Sequence, residues 1–263
     1  MTFELYAVNS AVIIAILVVI AFVVLEAGYR FGRKRKVLPS DPIKSQFSAI
    51  QGSLLGLISL LLGFTFSLAN HHYDKRSEAV VVEANAIGTA YLRAHALPES
   101  VRKETLTVLR NYVDVRVQAN QLSLADDVSR SSLLRDAGRL RVRLWDLALQ
   151  SIKDDDRVST TGYYLQALNE LIDSYGERAE IINRHVPQFV ILVFIVTFVL
   201  ASGVLGYTSG AADHRPTMAV NGYMIIIVIL FSMIIDLDRP RRGFIQVSQQ
   251  NMLDLQEEIR TAP

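Results

Sequence analysis

The chain has 263 residues, 51% of them hydrophobic, and a mean hydropathy of +0.27, too apolar for an ordinary soluble domain of this length, so it reads as a membrane protein. Its formal net charge of +1 leaves no basic excess for a nucleic-acid partner. With no cysteine, it has neither a disulfide framework nor a thiolate metal site.

Four apolar segments, about 7–25, 52–69, 188–207 and 218–235, each carry roughly the 17 to 25 residues that a spanning helix needs. The expected fold class is an all-α integral membrane protein, with four transmembrane helices as two hairpins and an extramembrane helical bundle between helices 2 and 3. The division follows as hairpin 1 over 1–70, the bundle over 71–186, hairpin 2 over 187–236 and a tail with a short helix over 237–263.

The first apolar segment is longer than a signal-peptide core and has no small-residue cleavage site after it, so it reads as a retained anchor. The run RFGRKRK follows, with Arg30, Arg33, Lys34, Arg35 and Lys36. Five cations beside a span mark the cytoplasmic side, and the same cations could bind anionic lipid head groups. With this loop inside, both termini and the central domain lie outside a multi-pass cell-membrane protein. Other cations pull the opposite way: Lys75 and Arg76 follow the second span, and Arg239, Arg241 and Arg242 follow the fourth.

The second span, GSLLGLISLLLGFTFSLAN, has no charge, yet small or polar residues recur at Gly52, Gly56, Ser59, Gly63, Ser67 and Asn70. Steps of three and four put them on one face of a helix, with the leucines on the others. Such a face meets either another helix at close range or a water-filled path.

Beyond it, HHYDKRSEAVVVEANAIGTAYLRAHAL has no proline before Pro98, so the helix continues past the bilayer. Three more amphipathic stretches follow. The first carries Val101, Leu109, Tyr112, Val113 and Arg116, the second Leu133, Leu140, Leu144, Leu147 and Ile152, and the third Leu165, Leu168, Leu171, Ile172, Tyr175 and Ile182. Helical spacing in all of them predicts a bundle. Over 71–186, 16 Lys and Arg face 17 Asp and Glu, for a net charge of −1. The tail predicts a turn around Pro240 and Gly243, an extended piece through Ile245 and Val247, and a final amphipathic helix.

No catalytic constellation, metal site or cofactor motif stands out, so the chain does not read as an enzyme. His71 and His72 are adjacent on a helix and point about 100° apart, which suits interfacial residues better than ligands of one ion. The run Asp154 to Asp156 reads as a loop at a helix end. The spans carry no midplane charge and no interrupted half-helix, so a coupled transporter is disfavoured. Four helices are too few to enclose a conduit, which places any path on an oligomer axis.

The four-span plan and the stretch Ser59 to Phe64 resemble the bestrophins. A closer resemblance is to the bacterial bestrophin-like domain family, carried by YLRAHALP at 91–98, YLQALNELIDSYGER at 164–178 and DLDRPRRGFIQVS at 236–248. Bestrophins are pentameric anion channels whose second span lines an apolar neck. The resemblance implies a homo-oligomer, a pentamer, with permeant small ions as partners alongside the lipid bilayer and the neck at Gly56, Leu60 and Phe64. With Gly56 at 0° and 100° per residue, Leu60 lies at about 40°, Phe64 at about 80°, Ser67 at about 20° and Asp74 at about 0°. The pore-lining or close-packing set is then Gly52, Gly56, Ser59, Leu60, Gly63, Phe64, Ser67, Asn70 and Asp74. Gly56 stands where the resemblance places a bulky residue, and the calcium-binding acidic cluster of bestrophins is missing. Bestrophins also keep their central domain cytoplasmic, opposite to the reading from Arg30 to Lys36. The expected function is an oligomeric ion channel of open selectivity, and its rival is a non-conducting, membrane-anchored sensor or interaction module.

Overall fold

The computed structural model describes residues 10–35, 41–122, 127–239 and 245–261. Among the described residues, eight α-helices run in order: α1 (Ser10–Arg35), α2 (Asp41–Ala94), α3 (Glu99–Gln121), α4 (Asp127–Asp154), α5 (Tyr163–Ile182), α6 (Gln188–Ala211), α7 (Met218–Asp238) and α8 (Gln250–Thr261). A π turn, Val158–Gly162, leads into α5. Among the described residues there is no strand, so the extended piece expected through Ile245 and Val247 does not form one. The cationic run is helical as far as Arg35, because Lys and Arg are good helix formers and only Lys36 to Ser40 separate it from α2.

Among the described residues, four helices are long and apolar enough to cross a membrane: α1, the first part of α2, α6 and α7. The chain divides into two compact units. The first comprises 1–73 and 185–246, so it holds α1, the start of α2, α6 and α7. Its core is built by Leu17, Leu25, Ile58, Leu62, Phe198 and Ile227, with the Phe194 and Phe231 rings stacked 4.3 Å apart.

Glycine brings α1 and α6 together at backbone distance. A Cβ on Gly206 would lie 2.0 Å from the Leu25 carbonyl oxygen, and one on Gly210 would lie 2.1 Å from that of Tyr29. From the other side, a Cβ on Gly28 would lie 2.5 Å from the Gly203 oxygen and one on Gly32 2.3 Å from that of Tyr207. In lipid the hydrophobic effect does not press helices together, so dispersion contact across small residues takes that part.

The second unit comprises 74–184 and 247–263. Ile87, Tyr91, Leu109, Tyr112, Leu144 and Leu168 form its core. The tail belongs to it: Met252, Leu255 and Ile259 of α8 are buried in that core, and Gln256 and Arg260 both donate to the Asp114 carboxylate. Ile152, expected inward by its spacing, is 36% exposed, because it lies in the last turn of α4. Asp155 closes the turn after α4, accepting the Arg157 amide and guanidinium and the Thr160 hydroxyl. These bonds hold its carboxyl below the usual carboxylate range.

An ion cluster sits inside the second unit. Glu83 of α2 is fully buried and accepts two bonds from Arg116 of α3, at 2.7 and 2.9 Å, and one from Arg178 of α5 at 2.5 Å. Arg178 also donates to Gln249 ahead of α8 at 2.6 Å. Burial opposes the charge on Glu83, but the two guanidiniums together outweigh it and hold the carboxyl below its ordinary range. The cluster ties α2, α3, α5 and the tail into one body.

Candidate functional site

The pore-lining or close-packing residues that the sequence brings forward all lie on α2, and the helix gives each of them a definite side. Ile58, Leu62, Thr65 and Ala69 are buried, by steps of four, three and four. On the other side, Gly52, Gly56, Ser59, Leu60, Gly63, Phe64 and Ser67 are exposed, as is Asp74 further along; Asn70 is half-buried. Leu60 is 54% exposed and Phe64 68%.

The glycines of this face have open space beside them among the described residues. A Cβ built on Gly52, Gly56 or Gly63 would meet no atom within 4 Å. Their smallness is not needed for packing inside the chain, in contrast to Gly206 and Gly210. Ser59 donates to the Leu55 carbonyl at 3.0 Å and Thr65 to that of Leu61 at 2.6 Å, so these hydroxyls are satisfied along the helix and can sit in an apolar setting.

Past the apolar part, Lys75 pairs with Glu78 at 2.7 Å. Arg76 is only 2% exposed and donates to the Arg184 carbonyl at 2.5 Å, so it is engaged within its own chain. Of the cations after the first span, Arg30 pairs with Glu26 at 2.7 Å and Arg33 approaches Asp213 at 3.6 Å. Lys34 is exposed, Arg35 ends α1, and Lys36 lies outside the described residues. Exposed pairs of this kind contribute little stability and leave the charges near water or head groups.

The adjacent histidines part company. His71 is exposed, whereas the Nδ1 of His72 is buried and lies 3.5 Å from Asp238 Oδ1. Asp238, 2% exposed, is a junction that sequence reading missed. Both of its carboxylate oxygens accept the Val186 amide at 3.1 Å, and its main-chain carbonyl faces His185 Nδ1 at 3.1 Å. Asp236, two residues earlier, accepts the Ile245 amide at 2.8 Å. The doublet DLD after an apolar span was the available signal, since charge held at a buried helix end needs partners. The spacings Gly28-x-x-x-Gly32 and Gly206-x-x-x-Gly210 were equally visible and equally unused.

A family model for the Bestrophin-like domain matches residues 11–252, nearly the whole chain. The chain belongs to the bestrophin-like family. Its fold is also that of solved structures of a bacterial bestrophin homologue from Klebsiella pneumoniae. One single-substitution variant is 13% identical with a TM-score of 0.65, covering 94% of this chain and 96% of the other. A second is 14% identical with a TM-score of 0.66 and the same coverage. A structure described as a membrane protein is likewise 14% identical, with a TM-score of 0.66, 94% of this chain and 95% of the other being covered. No curated protein sequence matches the chain. Among the described residues, no other helix covers the apolar, glycine-rich face of α2 at Gly52, Gly56 and Gly63.

Proposed function

We propose that this bestrophin-like chain is a homo-oligomeric ion channel of the cell membrane, a pentamer by its resemblance, with α2 of each subunit lining a pore on the symmetry axis. The single observation that supports the reading is the α2 face itself. Gly52, Gly56 and Gly63 have open space where their side chains would be, and Leu60 and Phe64 stand out from the chain. A face with this composition, repeated around an axis, makes a narrow path with apolar constrictions at Leu60 and Phe64 and wider rings at the glycines. At the end of the path a ring of Asp74 carboxylates favours cations, whereas anion passage needs those charges balanced by cations of a neighbouring subunit, for which Lys75 is the nearest in sequence.

Purified protein in liposomes, loaded with a chloride- or potassium-sensitive dye, tests the reading. Ion flux is expected, with Gly56→Trp and Ser67→Trp each blocking it. Flux that both variants leave unaltered removes this face from the pore. No flux from correctly oriented, folded oligomers, together with tightly closed space along α2, favours instead a non-conducting interaction module held in the membrane by the four spans. Reversal potentials in unequal salt then read the sign of the permeant ion, and Asp74→Asn is expected to shift them away from cations.

A further inference from the structure

Where α1 leaves its apolar stretch, cations from two parts of the first unit stand side by side. From Ser10 to Arg30 the helix rises about 30 Å, the thickness of the hydrocarbon core, so Arg30, Arg33 and Lys34 come at the level of the head groups. A Cβ on Gly32 would meet the Tyr207 oxygen and the Ala211 nitrogen, so α6 ends beside the same turns of α1 and brings the 212–217 connection with it. There Arg33 Nε lies 3.6 Å from Asp213 Oδ1, and the Arg215 guanidinium stands over the Tyr29 ring, 5.7 Å from its centre. Arg30, Arg33, Lys34 and Arg215 are all exposed.

An aromatic group adjoins them. Tyr207 of α6 has the Phe31 ring of α1 at 6.1 Å and the Phe47 ring of α2 at 5.2 Å, centre to centre, and Phe31 is 53% exposed. Aromatic rings collect at the boundary between hydrocarbon and head groups, and a guanidinium fork matches two oxygens of a phosphate. Cations held at that boundary meet lipid phosphates first. Glu26 and Asp213 engage Arg30 and Arg33 in exposed pairs, which are weak enough to yield to another anion. Asp213 has a φ of 54°, in the left-handed region, and asparagine adopts that region readily, so its charge can be removed without disturbing the turn.

We propose that Arg33, Lys34 and Arg215, with Arg30 at the edge, bind the phosphate head group of an anionic lipid, and that Asp213 is the competitor that such a phosphate displaces from Arg33. The bound phosphate bridges the end of α1 to the 212–217 connection, with its acyl chains along Phe31. The site does not depend on whether the chain conducts.

Native mass spectrometry of the full chain, held in detergent with equal amounts of phosphatidylglycerol and phosphatidylcholine, reads the site. The unmodified chain is expected to retain phosphatidylglycerol severalfold over phosphatidylcholine. Each cation near an anionic surface contributes a factor of about five. Arg33→Gln/Arg215→Gln is therefore expected to bring the ratio close to one, while Lys103→Gln/Lys153→Gln, which removes two exposed cations of the second unit, leaves it unchanged. Asp213→Asn is expected to raise the ratio, a gain that a damaged fold would not give. Equal retention of the two lipids by the unmodified chain overturns the proposal, as does an undiminished ratio in Arg33→Gln/Arg215→Gln, an equal fall in the two double variants, or a fall in Asp213→Asn. Added inorganic phosphate is expected to leave the bound phosphatidylglycerol in place; its release at millimolar phosphate assigns the patch to a soluble anion and overturns the lipid site.

Discussion

Gly206→Ala isolates what holds the membrane unit together. The added methyl would lie 2.0 Å from the Leu25 carbonyl oxygen, 2.9 Å from its carbon and 3.0 Å from the Tyr29 nitrogen. All three are backbone atoms, so no side-chain rotation can make room. Ordinary contact begins at 3.4 Å, so α1 has to retreat by about 1.4 Å, and the neighbouring approaches at Gly28, Gly32 and Gly210 open with it. Overpacking of this kind costs about 1–3 kcal/mol. Exchanging Gly for Ala inside a helix returns up to about 1 kcal/mol. The balance is a loss of up to about 2 kcal/mol. Gly56→Ala is the matched control: the same propensity gain with nothing within 4 Å, hence a chain no less stable. Unfolding of the two variants in a mixed-detergent titration, under conditions where subunits are already dissociated, measures both. A Gly206→Ala chain as stable as the parent, or a Gly56→Ala chain destabilised to the same degree, would refute the assignment of in-chain packing to the first glycine set and not to the second.

Glu83→Gln leaves Arg116 and Arg178 buried without their carboxylate and is expected to destabilise the second unit by about 3–5 kcal/mol, read by chemical denaturation. Because the folded Glu83 is held below its ordinary range, its contribution is present above the unfolded value, near pH 4.3, and is lost as pH falls further; a parent chain and a Glu83→Gln chain should therefore converge in stability on acidification. Met252→Asp places a charge among the buried side chains of the second unit, and the expected result is a tail cleaved by protease ahead of α8 while the spans stay intact. Sidedness is read by a reporter active only in the cytoplasm fused after Pro263. Holding Arg30 to Lys36 inside avoids moving each charge against roughly 2.3 kcal/mol per 100 mV, so the reporter is expected to be silent, and an active one reverses the orientation.

Hydrophobicity and periodicity in the sequence determined the number of spans, the helical bundle and the turn at Pro98, because lipid demands apolar length and a helix demands 3.6-residue spacing whatever surrounds it. The same spacing put Gly52, Gly56, Gly63, Leu60 and Phe64 on one side of α2. It could not say whether another helix of the chain covers them, since an identical stripe serves packing at Gly206 and faces open space at Gly56. Arg116 stood in an apolar register in the sequence, an oddity that only the approach of Glu83 and Arg178, 33 residues before it and 62 after it, explains. Asp238 looked like a polar residue ending a span. Its burial between His72 and His185, far apart in the chain, was decided by how α2, α7 and the entry to α6 converge, because desolvation of a charge depends on what the fold brings near it and not on its neighbours in sequence.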